Sequence, residues 1–101
     1  MRLFISALAC LLSLSVLSQT TFTGAISNDW AESVNWDNGL PEQGNDATIP
    51  AGLTVFNYGN IVNYGNIVNY GNINNYGTID SFGAILNDGT IENYGDIGNY
   101  G

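Results

Sequence analysis

The side chains of this chain that could take part in chemistry are carboxylates, hydroxyls and amides. The sequence has nine Asp and Glu residues, a single basic residue, Arg2, a single cysteine, Cys10, and no histidine. Nucleophile pairs of the Ser-His or Cys-His type are therefore excluded, and so is a lysine base. Two carboxylates acting on a glycoside remain, but the sequence places no pair of acids in a recognisable pocket. We predict no catalytic residues and no enzyme activity.

Carboxylates also offer a candidate metal site among the turn-forming residues that precede the repeats described below. Asp29, Asp37, Glu42 and Asp46 alternate there with asparagines, and calcium prefers such oxygen-rich surroundings. Their spacing matches neither an EF-hand loop nor a glycine-rich, Asp-containing nonapeptide, so solvated turn residues are the favoured interpretation. The sequence thus predicts no cofactor and no metal, with Ca²⁺ as the one ion that Asp29, Asp37 and Asp46 could bind.

Aromatic side chains recur through the second half of the chain and form the best candidate for a binding surface. The favoured interpretation is a structural ladder in which neighbouring rings stack. The functional alternative is a row of exposed rings that binds sugar faces or another protein, with Asp88 expected to weaken the row where it interrupts it. The predicted surface comprises Tyr58, Tyr64, Tyr70, Tyr76, Phe82 and Tyr94, with Tyr100 at the end of the series.

A six-residue repeat with unbroken register positions these rings from Asn57 to Gly101. Asn or Ser begins each unit, the aromatic follows, Gly is third and Ile is fifth. One apolar residue in six is too sparse for a helix or a lone strand to bury a face. Coiling would stack short strands about 4.8 Å apart, with Asn and Gly at the bends and the isoleucines inside. The predicted core is Ile61, Ile67, Ile73, Ile79, Ile85, Ile91 and Ile97.

The repeat predicts an all-β fold, a β-solenoid (β-helix) of hexapeptide units. The alternative is a disordered low-complexity segment, which the strict Ile and Gly columns disfavour. Two units per rung of the coil would place Asp80 over Glu92, whereas three would place Val68 beside Leu86, so three are favoured. Val55 and Ile49 are predicted to continue the isoleucine column, which puts the repeat region at residues 49–101.

Residues 19–48 have a different texture, with two tryptophans among turn-forming residues. The first rung of a solenoid exposes strand edges and core, and it needs a cover. We predict that Trp30 and Trp36 form an N-terminal aromatic cap. A sugar-stacking role for one of them is the alternative.

The first 18 residues have the layout of a signal peptide: Arg2, an apolar stretch from Leu3 to Leu17, and small residues before Gln19. A membrane anchor is disfavoured because the apolar stretch is short and interrupted by serines. Lipidation at Cys10 is disfavoured because the apolar stretch continues past it. Cleavage would leave an acidic chain without basic residues, so neither nucleic acid nor an anionic membrane surface is an expected partner.

The segment before the repeats resembles the W…NW..G.P…D..IPAG segment of secreted or surface-attached bacterial repeat proteins, including adhesin-like and autotransporter-like β-helix proteins. The resemblance implies a secreted or cell-surface location, other surface proteins or glycans as partners, and no catalytic residues. Such proteins are usually longer and carry an attachment module, so we expect a fragment or a short relative, with end-to-end self-association. The matching residues are Trp30, Asn35, Trp36, Gly39, Pro41, Asp46, Ile49, Pro50, Ala51 and Gly52.

These observations predict a structural or adhesive scaffold at the cell surface. The alternative function is a carbohydrate-binding module that uses the aromatic columns. Ice binding is less favoured, because the threonines at the fourth position of the units are interrupted by Asn, Ala and Asp.

Overall fold

The computed structural model of the protein describes residues 19–41 and 44–101, so the predicted signal peptide and Glu42 lie outside it. This part of the chain confirms the predicted all-β class, because its regular elements are ten strands and one turn of 3-10 helix, Ser33–Asn35. Within these residues, no helix has the length and apolar character to cross a membrane. The strands are β1 Gln19–Thr21, β2 Asp46–Ile49, β3 Thr54–Asn57, β4 Asn60–Asn63, β5 Ile67–Asn69, β6 Asn72–Asn75, β7 Thr78–Ser81, β8 Ile85–Asn87, β9 Thr90–Asn93 and β10 Asp96–Asn99.

The strands form three parallel sheets that the chain visits in turn. The first sheet has the order β1-β2-β5-β8, the second β3-β6-β9 and the third β4-β7-β10. In the second and third sheets paired residues lie 18 positions apart, as in the series Ile61, Ile79 and Ile97. Each six-residue unit therefore forms one strand and one bend, and three units bring the chain back to the same sheet.

The isoleucines at the fifth position of the units lie in the interior between the three sheets. Ile61, Ile67, Ile73 and Ile79 are at most 7 % exposed. Ile85, Ile91 and Ile97 are partly buried, because they lie on the last strand of each sheet and are covered from one side. Burial of each inner isoleucine stabilises the fold by about 1.5–3 kcal/mol, so the core is built rung upon rung rather than by any single strand.

The prediction that Ile49 lies in the isoleucine column is wrong, whereas the same prediction for Val55 is confirmed. Val55 pairs with Ile73, but Ala47 and not Ile49 pairs with Ile67. The turn between β2 and β3 is the cause, because Pro50–Leu53 adds two residues to the usual bend. Gly52 adopts a φ of 85° in this turn, a conformation that side chains with a Cβ rarely adopt. Ile49 is nevertheless fully buried, at the position that asparagine occupies in later units.

The repeated glycines are required by close packing of successive bends and not by a positive φ. A Cβ atom on Gly77 would overlap the carbonyl oxygen of Gly59, and one on Gly95 would overlap that of Gly77. Gly59 itself lies at the first bend of its column and has nothing within 4 Å of a Cβ position. None of the repeat glycines has a positive φ. The repeated glycines are therefore a consequence of how closely each bend packs on the one before it.

Candidate binding surface

Buried asparagines at the first position of the units hold the bends from which the aromatic side chains project. Asn75 is fully buried. Its Nδ2 donates to Asn93 Oδ1 at 2.9 Å, to the Gly77 carbonyl at 3.2 Å and to the Asp96 carbonyl at 3.0 Å. Its Oδ1 accepts from Asn57 Nδ2 at 2.8 Å and from the Gly77 amide at 3.2 Å. One amide side chain therefore links its own bend to the bends before and after it.

The asparagine column of the third sheet is interrupted by Ser81. The shorter Ser81 side chain donates to the Gly83 carbonyl at 3.1 Å and does not reach its neighbour in the column. Asn63, which lies 18 residues earlier, keeps its bond from Nδ2 to the Gly65 carbonyl at 3.2 Å. Its Oδ1 is buried without a hydrogen-bond partner, because it lacks the bond that Asn57, Asn69 and Asn75 each accept from the amide of the glycine two residues on.

Two aromatic columns follow two of the asparagine columns on the outside of the bends. In the first column, Tyr58, Tyr76 and Tyr94 stack with ring centroids 5.6 and 4.9 Å apart and planes inclined by 9°. In the second, Tyr64, Phe82 and Tyr100 stack at 5.0 Å in both steps. Because stacked rings cover one another's faces, the columns present mainly ring edges and hydroxyl groups to solvent.

The third row of bends differs because Asp88 stands where an aromatic residue would continue the column from Tyr70. Asn69 pairs with Asn87, and the Asp88 amide donates to the Asn69 carbonyl at 2.8 Å. Asp88 therefore follows Tyr70 in the next rung. Tyr70 is 51 % exposed, and within the described residues it is the one repeat tyrosine on which no second ring stacks. An open groove of about 330 Å³, here called the Tyr70 groove, is lined by Val68, Tyr70, Leu86, Asn87 and Asp88.

A carboxylate also perturbs the end of the first aromatic column. The Tyr94 hydroxyl donates to Glu92 Oε2 at 2.8 Å. This hydrogen bond and the negative charge of Glu92 raise the pKa of the Tyr94 phenol. The phenol is therefore held in its neutral, hydrogen-bonding form.

The predicted cap residues Trp30 and Trp36 are both 3 % exposed and pack edge to face, with ring centroids 4.8 Å apart. Trp36 Nε1 donates to the Trp30 carbonyl at 2.9 Å. Phe22, which the sequence analysis did not single out, packs against Trp36 at 5.2 Å and is 1 % exposed. The burial of both tryptophans leaves neither ring on the surface for stacking on a sugar.

Backbone pairing joins this aromatic cluster to the first strands of two sheets. β1 extends the first sheet by pairing with β2, and Asp29 forms a bridge to Phe56 of β3. Each contact involves at most three residues from the segment before the repeats, so no periodic pattern in the sequence indicated it.

Asn35 is a further residue whose role the sequence analysis missed. It is fully buried beside the tryptophans. Its Oδ1 accepts from the amides of Ile26 and Ser27 at 2.8 and 3.0 Å, and its Nδ2 donates to Ser27 Oγ and the Asp29 carbonyl at 3.0 and 2.9 Å. The only signal for it was its place next to Trp36 in the segment that resembles surface repeat proteins.

The three candidate calcium ligands bind separate backbone amides. Asp29 Oδ1 accepts from Ala31 at 3.0 Å and Asp37 Oδ1 from Thr21 at 2.8 Å. Asp46 Oδ1 accepts from Asn66 at 2.8 Å, at the bend before β5. Over residues 19–41 and 44–101, no three acidic, histidine or cysteine side chains are grouped so that they could hold a metal ion. These carboxylates stabilise turns and join rungs.

No family model, curated protein or solved structure matches this sequence.

Proposed function

We propose that the protein is an exported β-solenoid with three hexapeptide units per rung and an N-terminal aromatic cap, and that it serves as a structural and adhesive scaffold at the cell surface. The observation that carries the proposal is the 18-residue register, which aligns isoleucine, asparagine, glycine and aromatic residues in four kinds of column. Each column joins one rung to the next, so the fold is a regular support for whatever its outer faces present.

Export is supported by the order of residues at the start of the chain. A basic residue and an apolar stretch precede small residues at positions 16 and 18, as in secretory signals. The chain from Gln19 onward has no cysteine, lysine or arginine. An acidic chain of this kind stays soluble by charge repulsion and has no thiol to protect in an oxidising compartment.

A scaffold is favoured over a sugar-binding module that uses the aromatic columns. Sugars stack on ring faces, and in both aromatic columns the inner faces are covered by neighbouring rings about 5 Å away. The candidate metal ligands of the cap are already bound to backbone amides. The ring-to-ring contacts that form the aromatic columns are therefore contacts within the fold, and so are the hydrogen bonds of these carboxylates.

Expression of the full chain in a bacterium tests the proposal. We expect the protein in the medium or on the cell surface, with Gln19 as its first residue, and an increase in adhesion between the expressing cells. A Leu11→Arg change in the apolar stretch should retain the chain in the cytoplasm. Gly77→Ala, which disturbs the stacking of bends, should leave export intact and weaken adhesion. An uncleaved cytoplasmic chain, or adhesion that is unaffected by Gly77→Ala, would refute the proposal.

A further inference from the structure

The Tyr70 groove is a surface in which an aromatic ring, an apolar floor and a carboxylate lie together. Val68 of β5 pairs with Leu86 of β8, and both side chains point to the outer face of the first sheet, where Leu86 is 55 % exposed. Tyr70 flanks this floor at the bend, and Asp88 lies beside Tyr70 in the next rung. Here exposed apolar side chains lie next to an unstacked ring. The two aromatic columns differ, because each of their rings is in contact with another ring.

Charge determines which partner suits this surface. The chain has a net charge of −8, and its described residues contain no lysine, arginine or histidine that could pair with Asp88. The carboxylate of Asp88 is exposed and receives no hydrogen bond from the described residues, in contrast to the carboxylates of the cap. A uniformly acidic protein attracts cationic groups over a distance and repels acidic ones.

We propose that the Tyr70 groove binds an arginine side chain of a basic partner protein. The guanidinium group is planar and always charged, so it can lie against the Tyr70 ring while it donates to the Asp88 carboxylate. The aliphatic stem of the arginine covers Leu86 and Val68. A neutral sugar would satisfy the ring and the floor but would gain nothing from the net negative charge. The adhesive role proposed above requires a partner, and at this site the partner would be a basic protein. The inference rests on the proposed function only in that the arginine belongs to another protein.

Two-dimensional amide NMR of the full chain during titration with N-acetyl-arginine methylamide tests the site. We expect the shifts to be confined to residues 68–70 and 86–88. Asp88→Asn should weaken the apparent affinity about two- to fivefold, as loss of an exposed ion pair predicts while the Tyr70 ring stays in place. The matched control is Asp80→Asn, which removes the same charge from the outer face of the third sheet and should change the affinity less than twofold.

The ring is tested by Tyr70→Leu, which keeps an apolar side chain, against Tyr64→Leu in the second aromatic column. We expect weaker binding for Tyr70→Leu only, with unchanged far-ultraviolet circular dichroism for both variants. Equal effects of Asp88→Asn and Asp80→Asn would show general charge attraction and overturn the site. Shifts at these residues with methyl β-glucoside and none with the arginine compound would overturn the choice of ligand. Either result would leave export and the scaffold function unaffected, since those depend on other measurements.

Discussion

Replacing Ser81 by asparagine should stabilise the protein, because it completes the one interrupted inner asparagine column. At present Asn63 Nδ2 makes one hydrogen bond. In the neighbouring column Asn75 Nδ2 makes three. An asparagine at position 81 would accept from Asn63, donate to Asn99 and retain the bond to the Gly83 carbonyl that Ser81 now makes.

The gain can be estimated from the added hydrogen bonds. Two new side-chain bonds and one from the Gly83 amide contribute about 0.5–1.5 kcal/mol each. The entropy of ordering the longer side chain offsets part of this, which leaves about 1–3 kcal/mol. For a domain of this size, 1 kcal/mol raises Tm by about 4–8 °C. Thermal denaturation followed by circular dichroism should therefore show a Tm higher by roughly 4–24 °C.

The reverse change at the equivalent place in the neighbouring column is the matched control. Asn75→Ser removes the three Nδ2 bonds of Asn75 and leaves Asn57 Nδ2 without one of its three acceptors. We expect a loss of about 2–4 kcal/mol. If Ser81→Asn lowers Tm, or if the two changes shift Tm in the same direction, the asparagine columns do not stabilise the bends in the way argued above.

Three further changes test other contacts of the fold. Gly77→Ala should lower the free energy of unfolding by about 1–3 kcal/mol or more, because its Cβ would overlap the preceding bend. Gly59→Ala should change the free energy of unfolding by less than about 0.5 kcal/mol. Urea denaturation compares the two variants, and equal effects would contradict the close stacking of the bends. Asn35→Ala removes four hydrogen bonds from a fully buried site and should cost about 2–4 kcal/mol in thermal denaturation; a loss below about 0.5 kcal/mol would show that the cap does not depend on it. Glu92 raises the pKa of Tyr94, so stability from this pair is complete below the ordinary phenol pKa of about 10 and is lost as pH rises through the higher folded value. Glu92→Ala, which removes both the hydrogen bond and the charge, should lower the Tyr94 pKa in an NMR titration, and an unchanged value would exclude Glu92 as the cause of the raised pKa.

The repeat columns could be predicted because every unit has the same length. Ile61, Ile67 and Ile73 lie six residues apart, and any coil with a whole number of units per rung brings such residues inside. Ile49 shows where this reasoning failed. It fits the same spacing by sequence, but the Pro50–Leu53 turn adds two residues, and Ala47 takes its place in the column. An insertion of this kind is invisible when apolar residues stand at both candidate positions.

The cap and the Tyr70 groove depend on contacts that no periodicity specifies. Both tryptophans were expected to cover the first strands, but Phe22 and Asn35 join them through turns that are not repeated. Tyr70 and Asp88 become neighbours only because three units form a rung, since two units per rung would place other residues side by side. The sequence therefore indicated the rings and the interruption, while the register decided which surface they form.

Couplings across backbone hydrogen bonds, measured by NMR on isotopically labelled protein, test the stacked parallel fold most directly. They should join the amides of four aromatic residues to carbonyls 19 residues earlier: Tyr76 to Asn57, Phe82 to Asn63, Tyr94 to Asn75 and Tyr100 to Ser81. Couplings between residues 13 apart would mean two units per rung. An absence of protected amides throughout the repeats would mean that the isoleucines form no core.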